Sequence, residues 1–211
     1  MGRCRIFRAV QCAIVVVSLV VVSLVGGRSA RAEVVLGASF GYTHFSYPDS
    51  PRFKDDVLGL PGTQAWGQPG LRIGYLARGG RWDLNADVGL VTVHHSGTIG
   101  ADETTVEALP QVQANAPSWR GLSPFVNGGV GIVYETALTA YGGSFTATRP
   151  VFGAGIGLRK PVSDGHGFVR AEFRYDHLPE RVTGLSPSDN FTFPATDLFS
   201  VKLGFDLVVA H

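Results

Sequence analysis

The sequence predicts an all-β protein: one antiparallel up-and-down barrel of eight strands that crosses a bilayer, with short periplasmic turns and long outer loops. Three observations predict it. Alternation of apolar and polar residues, which marks a strand because successive side chains point to opposite faces, recurs eight times. Short and long connections alternate strictly between these repeats, as they do in barrels built to span a membrane. The repeats also follow a segment with the order of a secretory signal.

That segment places Arg3, Arg5 and Arg8 before an apolar run from Ala13 to Val25, and ends in Ala30-Arg31-Ala32. Ala30 and Ala32 supply the small residues that a signal peptidase reads, so residues 1–32 form a cleavable signal peptide cut before Glu33, and 33–211 form a single barrel domain. The apolar run is shorter than the ~20 residues a spanning helix needs. An uncleaved anchor over 9–25 is the alternative if Gln11 is tolerated. Cys4 and Cys12 lie in the leader upstream of that run, so the mature chain has no disulfide, thiolate metal site or catalytic Cys, and lacks the Cys of a lipoprotein. Five of the 18 basic residues leave with the leader, which carries no acid; 13 then face 17 acidic residues, a net charge of −4. This leaves no basic excess for nucleic acid.

The predicted strands are 34–47, 68–78, 81–95, 107–115, 122–134, 147–160, 167–178 and 197–209. Turns at 79–80, 116–121 and 161–166 are tight; loops at 48–67, 96–106, 135–146 and 179–196 are long. Gly79-Gly80 is a direct hairpin signal, because two-residue turns need positive φ. An even number of strands leaves both termini on the periplasmic side.

Parity then assigns the faces. In the seventh strand Val169, Ala171, Phe173 and Tyr175 alternate with Arg170, Glu172, Arg174 and Asp176. The charged set must face the lumen, since one Arg on the lipid side near the midplane costs roughly 2–4 kcal/mol. The same rule sends Arg72, Arg78, Asp83, Asp87, Arg159, Lys202 and Asp206 inward, six cations against five anions in all. Gly153, Gly155 and Gly157 share the inward face, which suits a narrow interior. A barrel of eight strands is about filled by side chains, so the expected lumen is a plugged charge network; a narrow ion path is the alternative, and a wide porin is excluded. A soluble ligand-binding barrel is disfavoured by the glycines on the polar parity and by Tyr42, Trp82 and Tyr134 near strand ends, where an interfacial girdle would lie.

Three stretches carry a resemblance: 123–131 (SPFVNGGVG), 152–157 (FGAGIG) and 169–175 (VRAEFRY). With the rest of 34–209 they resemble the fifth, sixth and seventh strands of the OmpA/OmpX-like small outer-membrane β-barrel superfamily. The resemblance implies location in the outer membrane of a Gram-negative cell envelope, contact with outer-membrane lipids and lipopolysaccharide, insertion by the barrel-assembly machinery, a monomer, and no cofactor. It specifies no activity. Barrels of this group usually end on an aromatic residue read during insertion, whereas this chain ends Val209-Ala210-His211 with Phe205 its last aromatic.

His177 is the residue most suggestive of chemistry. Lipid A deacylases, another eight-stranded family, place a catalytic His at this strand end with a nucleophilic Ser two residues later; here that position is Pro179, so the Ser/His pairing is broken. Adjacent His94 and His95 point to opposite strand faces and cannot chelate one ion together. Asp55-Asp56 and Asp102-Glu103 fall in predicted loops without calcium-loop spacing. The expectation is a non-enzymatic envelope or surface-interaction protein acting through its loops, of which 48–67, with Phe53, Leu58, Leu60 and Trp66, is the most apolar. A lipid A-modifying hydrolase using His177 is the alternative.

Overall fold

The computed structural model describes residues 33–46, 56–57, 60–61, 63–77, 80–95, 101–139, 144–162, 166–183 and 191–210. Eight long strands form the wall: β1 (Glu33–Ser46), β4 (Thr63–Leu76), β5 (Trp82–His95), β6 (Ala101–Asn115), β7 (Ser123–Thr139), β8 (Ser144–Val162), β9 (Gly167–Leu178) and β12 (Thr196–Ala210). Each pairs antiparallel with its neighbour in the chain, and β1 pairs with β12 to close the barrel. Closure removes the exposed edges that an open sheet would present. Two small hairpins, β2 (Asp56–Val57) with β3 (Leu60–Pro61) and β10 (Arg181–Thr183) with β11 (Phe191–Phe193), stand outside this order.

Five of the eight wall strands, β4, β6, β7, β8 and β12, are longer than the alternation alone suggests. The fourth wall strand begins at Ala101 rather than 107, and the expected loop at 135–146 is mostly strand, with Ala137↔Phe145 and Leu138↔Ser144 still paired. Polarity made these residues read as loop, yet Thr104, Thr105, Thr136, Thr139 and Thr146 are β-branched and fit an extended chain. Asp102 and Glu103 accordingly belong to β6 and Asp56 to β2, not to loops. The hairpins occupy parts of the two longest expected loops.

The turns carry the backbone cost. Gly80 has φ +68° and donates its N–H to the Ala77 carbonyl at 2.9 Å. Gly121 at +79° follows Arg120 at +53° in the turn closed by the Trp119↔Leu122 bridge. Within the wall, the β6–β7 register skips Leu109 and Pro110. Pro110 has no N–H for a ladder bond, and a Cβ on Gly129 would collide with its carbonyl.

The outer wall is apolar. Phe199, Val201, Leu203, Phe205, Leu207 and Val209 are all exposed, as are Phe40 (63%) and Leu71 (68%). So continuous an exposed apolar surface has no place in water and fits a lipid surround. Arg72, Asp83, Arg170, Glu172, Arg174 and Asp176, on the other face, are buried.

Candidate functional site

The lumen is filled from the periplasmic end upward. Arg159 donates to the Gly80 carbonyl at 2.8 Å and lies over the Phe168 ring at 4.7 Å. One level higher, Arg72 Nη2 reaches Asp83 Oδ2 at 2.6 Å and Gln113 Oε1 at 3.0 Å, while Asn85 donates to the second Asp83 oxygen at 3.1 Å. Arg170 bonds Glu172 at 3.0 Å and lies 3.7 Å from Asp206; Asn127 donates to the remaining Glu172 oxygen at 2.8 Å.

Arg174 is the hub. Its side chain is fully buried, Nε donates to both Asp176 oxygens at 2.7 and 2.9 Å, and Nη1 donates to Gln111 at 3.0 Å. Asp87, Glu107 and Glu172 stand 3.6, 3.8 and 3.9 Å away. A guanidinium removed from water needs such a surround, because desolvation would otherwise exceed the Coulombic gain.

Lys202 is half-buried on the same face, and Arg78 lies outside the described residues, as do Ala30 and Ala32; Glu33 opens β1. Three buried charges were not singled out from the sequence: Glu107, Glu135 and Arg149. Glu107 and Arg149 fall inside the predicted strands 107–115 and 147–160, and Glu135 continues the inward parity one residue past the predicted end of its strand, so following the alternation to the strand ends finds them. Arg149 binds Glu135 and donates from Nη1 to the carbonyls of Pro194 at 2.6 Å and Pro179 at 3.0 Å. These contacts tie both ends of the 179–195 connection to the barrel mouth.

Between the Arg174 level and the Arg149 level the lumen is not polar. Phe45, Val91, Leu109, Val133, Val151, Leu178 and Leu198 pack there as one buried apolar layer, drawn from every wall strand except β4. Its sequence signal is the loss of alternation: Leu90-Val91, Ile132-Val133 and Leu198-Phe199 are apolar on both faces.

His177 sits on the outer wall, where its Nδ1 pairs with Asp197 Oδ1 at 2.8 Å; Tyr175 Oη donates to the same oxygen at 2.8 Å. The His94 and His95 side chains lie outside the described residues, and among the described residues no three His, Cys, Asp or Glu side chains gather as metal ligands.

An apolar wall, a charged and filled interior and eight strands in up-and-down order define an outer-membrane β-barrel protein of the small, eight-stranded class. Solved structures of that class share the fold. Neisserial surface protein A aligns with a TM-score of 0.60 at 12% identity, covering 84% of this chain and 99% of its own. The attachment invasion locus protein Ail of Yersinia pestis aligns at 0.52 and 12% identity, covering 83% and 97%. OprG of Pseudomonas aeruginosa aligns at 0.53 and 15%, covering 85% and 97%. No family model matches the sequence, and no curated protein matches it.

Proposed function

We propose that this chain is a non-enzymatic outer-membrane barrel whose lumen is plugged and whose role is structural or surface-interacting, exercised through the outer loops. The observation that carries this reading is the sequence of levels just described. Arg174, ringed by four carboxylates, lies beneath a continuous apolar layer, and Arg149 fastens the chain above that layer. Such a stack leaves the outer rim as the working surface. Similarity to a protein named for its place on the neisserial surface and to one named for attachment and invasion supports a surface role. Lipopolysaccharide and outer-membrane lipids are the proposed surround, the barrel-assembly machinery the proposed route of insertion, and a monomer the proposed state. Planar-bilayer recording tests the plug: verified insertion with no discrete conductance is expected, and steady channels altered by neutralising Arg170 or Asp87 would overturn it.

A hydrolase reading has one observation in its favour, the His177–Asp197 pair, which would orient an imidazole as the acid does in a triad. Pro179 offers no nucleophile. Release of fatty acid from lipid A by the native barrel, lost in His177→Ala, would establish that reading in place of ours.

A further inference from the structure

The barrel wall is not sealed between β4 and β5. The two strands are paired from Leu76↔Asp83 up to Gly70↔Gly89, yet β4 runs on outward through Pro69 to Thr63 and β5 through Leu90 to His95. Beyond the last pair each is held only by its other neighbour, β4 by β1 as far as Phe45↔Thr63 and β5 by β6 as far as His95↔Ala101. At the other seams the pairing runs to within one residue of the end of one of the two strands. The first β4 residue past the last pair is Pro69, which has no N–H to offer a partner.

A cavity of about 20 Å³ lies behind this slot. Gln68, Asp87, Glu107 and Lys202 line it from the lumen, and so do Pro69 and Val88, which belong to the lipid-facing parity. Lined by residues of both parities, the void reaches the β4–β5 seam. Val91 and Leu198, members of the apolar layer, close it toward the mouth, and the Arg174 network closes it below. The side that neither closes is the β4–β5 seam.

Its polar lining is incompletely satisfied. Gln68 Nε2, Asp87 Oδ1 and Glu107 Oε1 have no hydrogen-bond partner although each residue is at least nine-tenths buried. Arg174 comes no closer to the two acids than 3.6 and 3.8 Å. At Gly89, on the floor of the slot, a Cβ would meet nothing within 4 Å.

The geometry points to a lateral binding site for an amphiphile, its small hydrogen-bond-donating end set against Asp87 and Glu107 and its aliphatic body leaving between Pro69 and Leu90 into the outer leaflet. The cavity has room for at least one water-sized group, which admits an ammonium or a hydroxyl. The lining sets two carboxylates with unused lone pairs against the single ammonium of Lys202, a net negative balance that favours a donor over an anion. This site is independent of the loop-borne role proposed above, since it depends on the β4–β5 seam alone.

The test is calorimetric titration of the barrel in lipid nanodiscs with octylamine, octanol and octanoate, using the native chain, Gly89→Leu and Gly128→Val. Gly89→Leu fills the cavity, while Gly128 is an outward position on β7 where a Cβ meets only ordinary contact. Saturable one-to-one binding of amine or alcohol is expected, weaker by roughly tenfold or more in Gly89→Leu, unchanged in Gly128→Val, and absent for octanoate. Equal heats in all three proteins would mean partitioning into lipid and overturn the proposal. If Gly89→Leu fails to close, as judged by heat-modifiable gel mobility, Glu107→Gln takes its place and must weaken octylamine. Stearylamine preloaded in the bilayer should compete with octylamine; failure to compete would overturn entry from the membrane side.

Discussion

Arg149 Nη1 donates to the Pro194 carbonyl at 2.6 Å, so a side chain rooted on the inner wall of β8 holds the backbone leading into β12. Glu135 neutralises the same guanidinium, and the Phe193 ring lies 5.9 Å from it. Arg149→Ala therefore strips a buried carboxylate of its partner and frees two carbonyls. We expect a closed barrel whose 179–195 connection becomes protease-sensitive on intact cells; unchanged cleavage would show that the fastening does not matter.

Arg72 and Asp83 form a buried pair across β4 and β5. Removing one partner leaves a bare charge, at a cost of about 3–5 kcal/mol, whereas replacing both with apolar residues of similar volume is often nearly neutral. Arg72→Met alone should unfold at clearly lower urea than Arg72→Met/Asp83→Leu. Equal destabilisation would mean that Gln113, which Arg72 also bonds, governs this level.

Gly153 lies where a Cβ would collide with Asp176 and crowd Arg174. Gly153→Val should cost about 1–3 kcal/mol by overpacking, and more if the Arg174–Asp176 geometry is lost. Slowed or incomplete conversion to the heat-modifiable form is the readout, with Gly128→Val as the tolerated comparison.

Leu203 is exposed on the outer wall well inside the apolar belt, and Val209 stands near its periplasmic edge. Leu203→Arg is expected to destabilise by about 2–4 kcal/mol and Val209→Arg by about 0–1. Similar small effects at both positions, measured by reversible unfolding from lipid vesicles, would contradict the bilayer depth assigned to β12.

Much of this architecture is legible in the chain. In β9 the apolar side chains from Val169 to Tyr175 are exposed and the charged ones from Arg170 to Asp176 buried, as period two dictates. Strand length was harder to read, because Thr-rich segments such as 104–105 and 136–139 are polar enough to pass for loops and become strands only through pairing. The apolar layer was also missed. Val91 and Leu198 point inward where alternation lapses, and only the closed barrel brings them together. Nothing local announces the open β4–β5 seam except Pro69, since how far two strands stay paired is decided by the twist and stagger of the whole barrel.

The 19 residues of β8 have a further consequence. At ~3.3 Å per residue and a tilt near 40°, such a strand rises roughly 45–50 Å, against an apolar band of about 25 Å. From β5 to β8 the upper wall, paired as far as His95↔Ala101, Ala101↔Thr139 and Leu138↔Ser144, stands clear of the lipid as a hydrogen-bonded arc. A partner that engages these paired strands meets preorganised backbone, and little of their chain entropy is left to be lost on contact.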